Sequence, residues 1–73
     1  MNSEQIKKQF PDWETIKPGE WSKHPIILQY GASPYEYIEI GLYREPDDND
    51  EYANTYTLQG FNGDDCLFSV MVQ

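Results

Sequence analysis

From Ile26 onward apolar and polar positions alternate with a period of two, whereas before it the apolar residues come about one helical turn apart. The change of period divides the chain into a helical opening and a sheet. Ile6 and Phe10 stand four apart, which places them on one face of a short helix that Ser3 can cap and that Pro11 ends, because proline has no amide to donate and its ring clashes with the preceding turn. Asp12 is placed to cap a second turn through Trp13, Glu14, Thr15 and Ile16, closed by Pro18-Gly19. Trp13, Ile16 and Trp21 then read as lid residues over a sheet.

Four strands are predicted: Ile26 to Tyr30, Tyr35 to Tyr43, Tyr52 to Gln59 and Asp65 to Val72. Short connections join them, so the expected fold class is α+β, a short N-terminal helix packed on a four-stranded antiparallel β-meander. In the second strand Ile38, Ile40 and Leu42 share the core side, while Tyr37, Glu39, Gly41 and Tyr43 face outward. Tyr52, Tyr56 and Leu58 share parity in the third strand, as do Cys66, Phe68, Val70 and Val72 in the fourth. A two-residue Asn62-Gly63 turn would set these apolar sets on opposite faces. A three-residue Phe61-Asn62-Gly63 loop with a left-handed Gly63 aligns them, pairing Leu58 with Cys66 and Tyr56 with Phe68.

Seventy-three residues are enough for one domain but not for a deep core; at this size only about 60% of the unfolded chain's surface is buried. Thirteen acidic residues against five basic ones give a net charge of -8. Lys7, Lys8, Lys17 and Lys23 balance Glu4, Asp12, Glu14 and Glu20, so the imbalance falls after residue 25, where Arg44 stands alone against nine acids: Glu36, Glu39, Glu45, Asp47, Asp48, Asp50, Glu51, Asp64 and Asp65. Such a surface repels nucleic acid and anionic membranes, and its natural partner is a basic surface on another protein. The opening Met1-Asn2-Ser3-Glu4-Gln5 has no secretion-signal pattern, and no apolar run is long enough to span a bilayer. A single cysteine suits a reducing compartment, and the cytoplasm is the expected location.

Catalytic patterns are sparse. His24, the only histidine, precedes a proline in a loop without a nucleophile-elbow motif. Cys66 alternates with Phe68 and Val70, which predicts a small core residue. The run Glu45 to Glu51 has the oxygen ligands a calcium loop needs, but counted from Asp47 its sixth and twelfth positions are Tyr52 and Leu58 rather than glycine and an acid. No cofactor or metal is expected, and a non-enzymatic binding protein is the leading reading.

The expected contact surface is the outward side of the second strand with the acidic loop: Tyr35, Glu36, Tyr37, Glu39, Tyr43, Glu45, Asp47, Asp48, Asp50 and Glu51. Tyrosine supplies rigid contact area. Carboxylates spaced along and across strands form an array that can occupy a phosphate-binding groove. In size and charge the chain resembles the small acidic nucleic-acid mimics that phages use against host defence, some anti-CRISPR proteins among them. That resemblance implies an inhibitor or adaptor that blocks a basic nucleic-acid-binding surface in a host cytoplasm. The alternatives are an interaction module in a larger assembly, such as a homodimer joined by a strand edge or by exposed Trp and Tyr, with acidity serving solubility, and a small hydrolase or metal-dependent enzyme assembled across subunits where His24 and the acidic loop meet.

Overall fold

The computed structural model describes residues 3–46 and 55–72. Helix α1 spans Ser3–Gln9, with Ser3 as its first helical residue, and the Phe10 amide donates to the Ile6 carbonyl at 2.9 Å before Pro11 ends it. A single 3-10 turn follows at Trp13–Thr15. Asp12 occupies its N-cap position, yet the carboxylate makes no capping bond. The Asp12 backbone carbonyl holds the turn, accepting from both the amide and the hydroxyl of Thr15 at 2.9 Å.

Strands β1 (Ile26–Gln29), β2 (Tyr37–Arg44), β3 (Tyr56–Asn62) and β4 (Asp65–Met71) form one antiparallel sheet in the order β1-β2-β3-β4. The expected α+β meander is the architecture of the protein. β3 begins later and runs further than expected, through Phe61 and Asn62; Tyr52, Ala53 and Asn54 lie outside the described residues.

The core lies on one face only. Ile6, Phe10 and Ile16 from the N-terminal segment pack against the paired Leu42 and Leu58, with Trp13, Ile26, Ile40, Tyr56, Phe68 and Val72 around them. Each fully buried aliphatic or phenyl side chain there contributes roughly 1.5–3 kcal/mol. Around its margin Tyr56 donates its hydroxyl to the Trp13 carbonyl at 3.2 Å, and the Arg44 guanidinium donates to the Ile16 carbonyl at 2.8 Å. The Lys7 ammonium stands 4.3 Å from the Trp13 ring centre. Long cationic stems thus finish a core too small to close with aliphatic residues alone.

The β3–β4 register departs from the expected one. Asn62 pairs with Asp65 across a two-residue Gly63-Asp64 turn, and Leu58 pairs with Val70, not with Cys66. Gly63 takes φ +59 at the first central position, as a type II′ turn requires. Phe61 pairs with Cys66 and Gly60 with Phe68, so Leu67 is one residue extra and the ladder carries a bulge there. The bulge restores the parity that keeps Phe68 and Val70 on the core face. It also sends Cys66 to the other face beside Phe61, where it is exposed instead of buried.

Candidate functional site

The second face of the sheet is built around Trp21, which was expected to cover the core but lies on the opposite side. Lys17-Pro18-Gly19-Glu20 closes as a turn, with the Glu20 amide donating to the Lys17 carbonyl at 2.9 Å and Gly19 at φ 82. Proline followed by a positive-φ glycine is the arrangement of a type II turn. The chain leaving it runs antiparallel to β2: Gly19 donates to Arg44, Arg44 to Glu20 and Ser22 to Leu42, which sets Trp21 opposite Tyr43. This segment and β1 share the same edge of β2.

The Trp21 indole spreads over Gly41, where an added β-carbon would stand 2.9 Å from its ring. It meets Tyr43 at 4.7 Å and Phe61 edge-on at 5.7 Å between ring centres. Trp21 remains 42% exposed, so the cluster is a surface feature. Beside it opens a cleft of about 230 Å³ lined by Trp21, Ser22, Pro25, Glu39, Gly41, Phe61 and Gly63.

Asp12 anchors this arrangement from the far side of the chain. Its carboxylate accepts the Ser22 hydroxyl at 2.5 Å and the Lys23 amide at 2.8 Å, while the Ser22 oxygen accepts the His24 amide at 3.1 Å. Burial pushes the carboxyl up, but the Ser22 and Lys23 hydrogen bonds, one from its own backbone and the charge of His24 together bring it below the ordinary carboxylate value. A folded pKa below the unfolded value stabilises the protein above the unfolded value, about 3.9, and that contribution is lost as pH falls through the folded one. Asp12→Ala, which removes the hydrogen bonds from Ser22 and Lys23, is expected to lose about 1 kcal/mol at neutral pH, since water screens a carboxylate this accessible. The difference from the parent should shrink as pH falls through the folded value, in urea titrations read by tryptophan fluorescence.

No protein-family model, curated protein or solved structure matches the chain.

Tyr37 and Tyr43 are half-buried on this face, with Glu39 exposed between them in the strand. Tyr35 is 81% exposed and sits with exposed Glu36 before β2 begins. The Asn62 side-chain amide donates to the Tyr35 and Tyr37 carbonyls at 3.0 and 2.8 Å, fixing that entry to β2 from β3. Glu45 is half-buried and accepts the Thr57 hydroxyl at 3.3 Å. Asp47, Asp48, Asp50 and Glu51 lie outside the described residues. His24 is exposed, and no group of three His, Cys, Asp or Glu side chains placed to hold a metal occurs among the described residues. No helix among them is long and apolar enough to cross a membrane.

Trp21, Gly41 and Phe61 were missing from the expected surface. Gly41 was the available signal, since a glycine inside an alternating strand marks close approach by another group. Phe61 was hidden by its assignment to a loop.

Proposed function

We propose that this chain is a non-enzymatic inhibitor or adaptor that docks the Trp21, Tyr43, Phe61 and Glu39 face of its sheet on a basic surface of another protein. The observation that carries this reading is the contrast between the two faces. The helix, the 3-10 turn and the guanidinium of Arg44 all belong to the core side. Arg44 is the single Lys or Arg in the four strands, so the other face has aromatic area and carboxylates with no strand cation to neutralise them. Aromatic anchors beside negative charge suit a partner rich in Lys and Arg, and the charge accelerates encounter. A nucleic-acid-binding protein is the partner class that fits best, with Glu36, Glu39 and the acidic run standing in for phosphates.

Capture of partners from a lysate at low and high salt tests the proposal. Reversing Glu36 and Glu39 to lysine is expected to weaken capture at least about tenfold, and raised salt should weaken the parent's capture likewise. Capture that ignores both changes would defeat the electrostatic reading.

A second reading is favoured by β4. From Cys66 to Val72 the edge strand has no charge, and Leu67, Val70 and Met71 are exposed. Edges without charges or proline are templates for pairing with another strand, so self-association through β4 is the alternative. Sedimentation across concentrations separates the two: a salt-resistant dimer supports the edge, and a concentration-independent monomer removes it.

A further inference from the structure

We infer that the cleft beside Trp21 receives an arginine side chain from the basic partner. This rests on the docking proposed above and names the contact within it. At about 230 Å³ the cleft falls below the roughly 300–1,000 Å³ of small-molecule sites, which suits one side chain and not a whole metabolite. Its aromatic walls are Trp21 and Phe61, and the absence of a side chain at Gly41 lets the indole lie flat against β2, so a side chain there would displace the wall.

Glu39 supplies the charge. Its cross-strand neighbours are Ile27 and Phe61, both apolar, and its carboxylate forms no hydrogen bond or ion pair with any described residue. Glu39 is exposed in the free protein, and docking that covers it against these apolar neighbours excludes water and strengthens its attraction to an incoming cation. Among the described residues no lysine or arginine lines the cleft itself: Arg44 is on the core face, while Lys17 and Lys23 line a neighbouring depression that Trp21 also borders, together with Asp12 and Glu20.

Arginine fits these groups better than lysine does. A guanidinium stacks flat on an indole while giving parallel N–H donors to one carboxylate, and its methylene stem can lie along Pro25. The ammonium of lysine is a more strongly hydrated point charge and gains less from both contacts.

The test titrates the full chain with capped oligo-arginine, oligo-lysine and oligo-citrulline of equal length, following both tryptophan indole N–H signals by NMR. Trp21→Phe assigns those signals. Oligo-arginine is expected to shift the Trp21 signal and leave that of Trp13 in place, and to bind at least about fivefold more tightly than oligo-lysine. Glu39→Gln, an exposed position, should weaken it about tenfold. Gly41→Ala should do the same, with circular dichroism confirming its fold, while Glu14→Gln should change binding less than about twofold.

Equal binding of oligo-arginine and oligo-lysine, indifferent to Glu39→Gln but abolished by salt, would overturn the cleft and leave charge-driven docking standing. Equal binding of oligo-citrulline would overturn cation recognition. No binding of either cationic peptide at low salt would remove the cleft and the docking proposal together. A Trp21 shift that follows protein concentration without peptide would give the cleft to a second copy and overturn the inference.

Discussion

Replacing Phe10 with alanine is expected to remove a large share of the protein's stability at 25 °C. Phe10 is fully buried at the centre of the cluster formed by Ile6, Ile16, Leu42 and Leu58. Truncating such a ring removes about 3–5 kcal/mol. At roughly 0.05–0.15 kcal/mol per residue a chain of this length has only about 4–11 kcal/mol in total, and small domains fall toward the lower end. Phe10 also joins the two N-terminal elements, because its amide donates to Ile6 and its carbonyl accepts from Trp13 at 3.0 Å. Loss of the ring therefore loosens both layers. Far-UV circular dichroism and urea unfolding measure the effect, and a loss below about 1 kcal/mol would show that the core does not depend on this ring. Val70→Ala is the contrast, since Val70 is exposed on β4 and should cost less than about 1 kcal/mol.

A side chain at Gly60 is expected to be the next most damaging change. The Phe68 ring lies against this glycine from the neighbouring strand, and an added β-carbon would fall within its contact distance. Phe68 must move or the strands must part, so Gly60→Ala should lose about 1–3 kcal/mol by overpacking. The cause is tested by removing the ring. In a Phe68→Ala background Gly60→Ala should be neutral or stabilising, because alanine orders a strand at less entropic cost than glycine. A coupling of at least about 1 kcal/mol in the double-mutant cycle is expected, and additive effects would refute the ring-on-glycine account.

Gly41 under Trp21 repeats this device on the opposite face, with a different consequence. The Phe68 ring is half-buried and belongs to the core margin, whereas the Trp21 ring is exposed and borders the cleft. The same backbone economy therefore supports packing at one position and a binding surface at the other. Asp12 links the two faces: it belongs to the segment that covers the core, and it holds Ser22 and Lys23 next to Trp21.

Local pattern was enough to set the element types, the meander and the side of β2 that faces the core. Ile38, Ile40 and Leu42 alternate with polar or small residues, and a two-residue period admits only one burial of that strand. The stop at Pro11 and the charge asymmetry after residue 25 were likewise legible, since they depend on residue chemistry and not on neighbours in space. Parity also required Leu58 to share a face with Val70. It could not choose between a three-residue loop and a type II′ turn followed by a bulge, because both satisfy parity and differ only in where the extra residue is taken up. Tertiary structure made that choice at Leu67, and with it exposed Cys66 and brought Phe61 into the sheet beside Trp21. It also took the Asp12 carboxylate from a local cap to Ser22, ten positions along, and carried Trp21 across β2 to the face away from the helix. Those outcomes depend on contacts between segments distant in sequence, where hydrogen-bond geometry and ring packing over glycine decide among arrangements that local periodicity leaves equal.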